Sequence, residues 1–326
     1  MADIQVSPGW KDLADSINKQ KGVVVILGAP DTGKTTLAFC LSRELQLRGC
    51  KVAMIYADVG QCAFGPPATL GLSVLGKLET VPTMRHDSPG PVFLEEIKIH
   101  SMYFVGCTSP MGHLLQTTVG LKKLVETAEG EGAEIVVIDT SGFVEGGAAW
   151  ELKFQKIELV NARHIVALQR RQELEVILSV HEHRTCRTVH RLKIYEAIKL
   201  KSYEQRRAYR RQKFLEYFQN ATLKNLPLKE VRLINPVNIL PIEGYINLYK
   251  RLLVGLNDDE NFTLGLGIIE DTGPKELRLL TPVEALQKVK IVRFGAIRLD
   301  ENWYDSRVKL PSIHLLKLPP ITLRKT

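Results

Sequence analysis

Residues 28–36 read Gly-Ala-Pro-Asp-Thr-Gly-Lys-Thr-Thr and follow directly on the apolar run "GVVVIL". Two glycines at this spacing, then a lysine and a hydroxyl residue, let backbone N–H groups wrap an anion while a side-chain cation reaches its far end. The pattern Gly28-x4-Gly33-Lys34-Thr35 reads as a phosphate loop, with Asp31, Thr32 and Thr36 among the residues expected to hold the nucleotide. In such a loop Lys34 reaches the β- and γ-phosphates, and the Thr35 hydroxyl takes a place on Mg²⁺. Two carboxylates complement it. Asp58 follows "KVAMIYA" and Asp139 follows "EIVVI", so in a doubly wound sheet both emerge at the edge where ligands bind. One of them can support the magnesium shell and the other can accept a proton from an attacking hydroxyl.

A second chemical signal lies downstream. Between His181 and Lys213 there are eleven Lys or Arg against three Glu, with three His besides. A cationic run of this density, in a chain of net charge +8 and pI near 9.1, points to a polyanionic partner. In "SYEQRRAYRRQKFLEYFQ" (202–219), Arg206, Arg210 and Lys213 recur at helical spacing and share one face, with Arg207 and Arg211 beside them. His181-Glu182-His183 lacks the further ligands of a metal site and reads as solvated basic surface. Trp150 and Trp303 read as packing residues, and Tyr103 and Phe104 as strand core.

These groups need a scaffold. The runs 21–27, 51–58, 101–106, 133–142 and 164–169 are short and apolar, as buried strands are. Helical spacing holds over 34–48, 112–130 and about 149–161. Buried strands alternating with helices predict an α/β fold, a P-loop parallel sheet flanked by helices. Beyond about 221, short strand-like runs separated by Asn-Asp-Asp and Thr-Gly-Pro predict a smaller β-rich C-terminal domain. The expected division is 1–220 for the phosphate-loop domain, its basic segment at about 181–218, and 221–326 for the second.

A chain of 326 residues accommodates that division. The five cysteines, Cys40, Cys50, Cys62, Cys107 and Cys186, are scattered and contain no CxxC pair, which argues against a zinc site or a disulfide framework. No run of about 18 apolar residues occurs, and the first residues lack the basic start and apolar core of a signal peptide. An intracellular, soluble setting with no membrane partner is expected, cytoplasmic or, in a eukaryote, nuclear.

The order "GAPDTGKTT", "YADVGQCAFGPPATLGL" (56–72), "YFVGCTSPMGH" (103–113), "IDTSGFVEG" (138–146) and "KSYEQRRAYRRQKFLEYF" (201–218) resembles the polynucleotide 5′-hydroxyl kinases, including the RNA kinases of pre-mRNA cleavage complexes and ribosomal-RNA processing. The resemblance covers about residues 22–220. It implies transfer of the γ-phosphate of ATP, with Mg²⁺, to the 5′-hydroxyl end of RNA or DNA, and RNA-processing protein partners. It also implies roles for particular residues. Asp58 acts on the 5′-hydroxyl, with Gln61 nearby; Thr108 lies in a clasp over the nucleotide; Phe143 faces a nucleobase. The basic stretch is a lid whose cations, Lys201, Arg206 and Arg210, close over the transferring phosphoryl group.

This sequence departs from the family pattern at three places. Lys201 stands where an arginine is usual, Phe143 where a tryptophan is, and Tyr56 where relatives often carry an acid. Two other functions fit the same loop: an ATP-binding scaffold with weak or no turnover, and a P-loop switch or metallochaperone. Neither RNA nor DNA is selected by the residues themselves.

Overall fold

The computed structural model describes residues 8–61, 64–75, 98–194, 200–234 and 249–308. Cys62, the middle of the expected basic lid (195–199) and the whole run "NPVNILPIEGYIN" (235–247) therefore lie outside the described residues. The chain forms two compact units, Met1–Lys213 and Phe214–Thr326.

The first unit is built on a seven-stranded sheet. Its strands are β1 (Gly22–Gly28), β2 (Val52–Ala57), β3 (Thr69–Leu75), β4 (Ser101–Phe104), β5 (Ile135–Thr140), β6 (His164–Leu168) and β7 (Thr188–Leu192), in the order β4-β3-β2-β5-β1-β6-β7. β1 lies between β5 and β6, parallel to both, and its Val24–Leu27 stretch is fully buried. Five strands from β2 to β7 run parallel, as expected of apolar runs covered by helices on both faces.

The sheet is not parallel throughout. β3, missed in the sequence, pairs antiparallel with both β2 and β4. Only residues 58–68 join β2 to β3, and the described ones among them form no helix. That is too short for the crossover a parallel pair demands, so the chain returns beside the strand it has just left.

Helices α2 (Lys34–Leu47), α3 (Leu114–Gly130), α4 (Gly147–Leu159) and α5 (Glu175–Glu182) flank the sheet, and α6 (Tyr203–Phe218) carries the basic stretch. One further helix was not foreseen. α1 (Pro8–Lys19) places Leu13, Ala14 and Ile17 in one core cluster with Leu41 and Leu45 of α2. Proline at its first position supplies a helical φ where an N–H would be unpaired anyway.

The segment expected to form the lid, 181–218, is divided among several elements. Its first third is the end of α5 and the edge strand β7, which pairs with β6 in register Val166↔His190. The cations there are already neutralised: Arg184 and Arg187 bond Glu158 at 3.0 and 2.5 Å, and Arg191 bonds Glu175 and Glu182 at 2.9 and 2.7 Å. His181 is likewise no surface residue. It falls on the inner face of α5 with Ile177 and Leu178, stacks on Phe154 and sits with Nδ1 2.9 Å from Arg187 Nη1. Burial first, and the neighbouring guanidinium second, hold its pKa below the usual value, so the neutral ring accepts that bond. Tyr103 and Phe104 are core as read, whereas Trp150 is exposed.

Strands β6 and β7 also bring His164 and His190 together, with Nδ1 and Nε2 3.0 Å apart. His164 Nε2 lies 2.7 Å from the Gln20 carbonyl and must donate there, which leaves its Nδ1 to accept from His190. Burial, and then the neighbouring ring, push the pKa of His190 down to about 4. An imidazole whose folded pKa lies below its unfolded value binds protons more readily unfolded, so stability falls as pH drops from about 6.5 toward 4. His190→Gln removes the titrating ring and keeps an amide donor. Its Tm should fall less between pH 7 and pH 5 than that of the wild type in parallel thermal melts.

The second unit begins within α6, where Phe214 and Phe218 turn from the basic face to a buried one. Tyr217 accepts a hydrogen bond from the Leu266 N–H at 2.7 Å, and Phe218 stacks on Trp303 at 5.4 Å between centroids. The strands are β8 (Thr222–Pro227), β9 (Arg232–Ile234), β10 (Leu252–Asn257), β11 (Thr263–Thr272), β12 (Glu276–Thr281), β13 (Ile291–Leu299) and β14 (Asp305–Arg307). They form one sheet in the order β14-β13-β10-β11-β12-β8, antiparallel except where β9 joins β13. Among the described residues no helix is long and apolar enough to cross a membrane.

Candidate active site

The phosphate loop runs from the end of β1 into α2, and its glycines are placed by space and by backbone. A Cβ on Gly28 would lie 2.5 Å from Thr32 Oγ1 and 2.7 Å from the Leu168 carbonyl. Gly33 has φ +87° at the helix N-cap, a conformation that side chains resist. Asp31 also takes a positive φ, +54°. Thr32 Oγ1 and Lys34 Nζ both donate to the Ala29 carbonyl, at 3.0 and 2.7 Å. Lys34 is buried, and burial lowers its pKa against the opposing pull of Asp139, Asp58 and Asp31. A desolvated ammonium at a helix N-terminus is a strong site for an anion.

Next to the loop, Thr35 Oγ1 donates to Asp139 Oδ2 at 2.6 Å. Asp139 sits in β5, opposite Ile26 and Tyr56 of the neighbouring strands, and is only 1 % exposed. Burial pushes its pKa up to about 6, and Lys34 and the Thr35 hydroxyl limit the rise. Its Oδ1 has no hydrogen-bond partner. A buried carboxylate oxygen left open beside a threonine hydroxyl is a hard-oxygen donor set, and it fits a magnesium ion held otherwise by phosphates and water. Among the described residues no group of three or more His, Cys, Asp or Glu could hold a metal by itself.

Asp58 stands one residue beyond β2, with Oδ1 accepting the Gly60 N–H at 2.9 Å. The turn it opens is pressed against the segment after β4, since a Cβ on Gly60 would lie 2.8 Å from the Thr108 carbonyl. Tyr56 donates its hydroxyl to the Gln61 carbonyl. The departure at Tyr56 therefore places no acid in the site but ties down the turn that carries Asp58 and Gln61. On the other side, Gly142 packs on the loop, where a Cβ would meet Pro30 N at 2.6 Å, and this seats Phe143.

A cavity of about 500 Å³ opens between these segments. Asp31, Thr32, Gly33, Lys34, Thr35, Thr36, Asp58, Gln61, Thr108, Phe143, Lys201, Arg206 and Arg210 all line it. Gly28 and Asp139 stand behind its wall. The basic helix reaches the loop through Asp31, whose Oδ2 accepts the Lys201 N–H at 2.9 Å and Arg206 Nη2 at 2.6 Å. Burial works to raise the Asp31 pKa, but these two donors outweigh it and hold the carboxyl below the usual range. Lys201 Nζ lies 5.7 Å from the centre of the Tyr209 ring.

Some groups were missed in the sequence. Ser109, Pro110, Thr140 and Ser141 also line the cavity. Arg170, just after β6, donates to the carbonyls of Pro30 and Asp31 at 3.3 and 2.5 Å and braces the loop from outside. Lys153 and Lys156 of α4 are fully buried behind the site. Lys153 Nζ donates to Thr140 Oγ1 at 2.8 Å and to the Ser141 carbonyl at 2.6 Å. Burial pushes Lys156 down to about 8, against the attraction of Asp58. A signal for them existed: Ala149, Leu152, Lys153, Lys156 and Ile157 trace one inner stripe of α4.

Residues 28–220 match the family model described as mRNA cleavage and polyadenylation factor CLP1 P-loop. A polyribonucleotide 5′-hydroxyl-kinase of Methanocaldococcus jannaschii is 33% identical over 331 aligned residues, covering 86% of this chain and 87% of that protein. One from Pyrococcus abyssi is 32% identical over 329, covering 86% and 88%. In fold, the chain resembles Clp1p in a solved Clp1p–Pcf11p complex, with TM-score 0.64 at 14% identity over 89% of this chain and 78% of that one. With the phosphate loop, the buried strand-end carboxylate Asp139 and the basic helix all inside the matched span, the chain belongs to the CLP1 P-loop family.

Proposed function

We propose that the protein is a polynucleotide 5′-hydroxyl kinase that uses ATP and Mg²⁺ and acts on RNA ends. The reading rests on one juxtaposition. A phosphate loop with a buried lysine, a strand-end carboxylate facing the same cavity, and cations from the basic helix converge where a γ-phosphate would sit. Two relatives, each covered over most of its length, carry the name polyribonucleotide 5′-hydroxyl-kinase.

In this reading the loop's N–H groups and Lys34 hold the β- and γ-phosphates, and Thr108 holds them from the facing segment. Thr35 and Asp139, with Asp58 on the cavity side, would hold Mg²⁺, which when bound neutralises charge on the phosphate oxygens. Asp58 orients the 5′-hydroxyl and takes its proton as the new O–P bond forms and the bond to the β-phosphate oxygen breaks. Gln61 and Phe143 position the acceptor end, Phe143 by its ring face. Lys201, Arg206 and Arg210 draw charge from the transferring group, whose loose transition state is served by positioning and positive potential more than by covalent chemistry. RNA-processing protein partners and an intracellular setting, cytoplasmic or nuclear, belong to the same proposal.

The test is transfer of labelled γ-phosphate from ATP with Mg²⁺ to matched oligonucleotides ending in 5′-hydroxyl or 5′-phosphate, as RNA and as DNA. Label on 5′-hydroxyl ends alone, more on RNA than on DNA, is expected. Tight ATP binding with no transfer to any end would replace the kinase by a nucleotide-bound scaffold, and hydrolysis stimulated only by a protein would replace it by a switch.

A further inference from the structure

We propose that the Asp31 carboxylate, within the phosphate loop, is the docking point of the basic helix, and positions Arg206 for the phosphoryl group without contacting the nucleotide through its own side chain. The inference rests on the kinase reading above and adds a residue that acts through another.

The position is unusual on three counts. Asp31 adopts a left-handed φ of +54° between Pro30 and Thr32, which turns its carboxylate out of the loop. That carboxylate is nearly buried, and one oxygen, Oδ2, receives both the Lys201 N–H and Arg206 Nη2. The backbone beneath it is clamped from the other side by Arg170, through the carbonyls of residues 30 and 31. The loop is thus braced where α6 is moored, so the mooring point moves with the phosphate site.

Arg206 keeps donors to spare. A guanidinium carries five N–H groups in a fixed fork. Asp31 takes one from Nη2, while Nε is buried and unpartnered, and the side chain lines the cavity. A buried donor with no acceptor is costly, and the side chain lines the cavity, so N–H groups beyond the one given to Asp31 can be offered to an anion there. The ion pair therefore fixes the plane of the guanidinium and leaves part of the fork for a phosphate oxygen. Lys201 is held by its backbone N–H, which explains how a lysine can stand there: that mooring is indifferent to the side chain.

Two substitutions separate the contacts without straining the turn, because Asn and Gly both accept a left-handed φ. Asp31→Asn keeps an acceptor for the Lys201 N–H and loses the ion pair; Asp31→Gly loses both. Two measurements are needed: steady-state kinetics with ATP and a 5′-hydroxyl RNA, and amide hydrogen exchange over residues 200–207 in the nucleotide-free protein. Expected is a kcat lowered about tenfold in Asp31→Asn and more in Asp31→Gly, with KM for ATP changed less than about threefold. Exchange at residues 200–207 should quicken most in Asp31→Gly.

A raised KM for ATP with kcat retained would overturn the proposal and make Asp31 a nucleotide contact. So would a lowered kcat with unchanged exchange over 200–207, or no change in either measurement. Failure of the kinase reading would be seen separately, as absent transfer by the wild type; in that event faster exchange at 200–207 would still establish the mooring.

Discussion

Replacing Lys34 by methionine should lower kcat/KM for phosphoryl transfer by about 10³-fold or more, while leaving the nucleotide-free protein at least as stable as the wild type. The loss follows from the proposed role, since a preorganised cation aimed at a transferring phosphoryl group is among the largest contributions a site can make. The stability half comes from the geometry. Lys34 is 7 % exposed, and its ammonium has been taken out of water to face a cavity. Its hydrogen bond goes to the Ala29 carbonyl, which Thr32 Oγ1 also reaches, at 3.0 Å. Methionine matches the length of the stem, adds no polar atom and leaves that carbonyl still bonded. Removing a poorly compensated buried charge is neutral or favourable, the pattern of a functional residue held at a cost to the fold. Thermal melts without nucleotide, beside the labelled-phosphate assay, check both halves. A drop in Tm of more than about 5 °C, worth roughly 3 kcal/mol in a chain of this size, would mean that Lys34 holds the loop together by itself.

Asp139→Asn should also reduce transfer, by about 10²-fold or more, if Asp139 supports the metal as proposed. Its effect on stability carries a pH signature of definite sign. The wild-type carboxyl has a folded pKa near 6 and is 1 % exposed, against an unfolded value of about 3.9. The folded state therefore binds the extra proton between those values, and the wild type loses stability as pH rises from about 4 to 6. The shift of about two units corresponds to an order of 3 kcal/mol. Asparagine does not titrate, and its carbonyl can still accept the Thr35 hydroxyl. The variant should thus be more stable than the wild type above pH 6, with the advantage gone near pH 4. The quantity to measure is the difference between the two denaturation free energies across that range without Mg²⁺, which cancels the opposite trend of His190. An advantage independent of pH would show that Asp139 is not the group being relieved.

The same two residues show where the sequence was legible. Lys34 and Thr35 could be assigned because their meaning is local: the spacing of Gly28 and Gly33, one strand before them and one helix after, defines the loop without reference to the rest of the chain. Asp139 and Asp58 needed only the further rule that strand ends share one edge of a parallel sheet. The β3 strand was missed although "TLGLSVL" alternates Thr69, Gly71 and Ser73 with Leu70, Leu72 and Val74, and its direction depends on a connection length rather than on its residues. Lys153 and Lys156 were lost because a lysine in a helix is ordinarily solvated.

Charge misled for a related reason. Counting cations along 181–213 weights Arg184, Arg187 and Arg191 equally with Arg206 and Arg210. Yet the first three are spent on Glu158, Glu175 and Glu182, carboxylates far from some of them in the chain. The sequence by itself determined which groups can hold a phosphate, because that chemistry is carried by a contiguous loop and by residues at strand ends. Only the tertiary structure decided which cations face the cavity, which are neutralised in ion pairs, and that Asp31 turns toward the basic helix. Pairing and burial are settled between residues distant in sequence, where side-chain type alone holds no information about the partner.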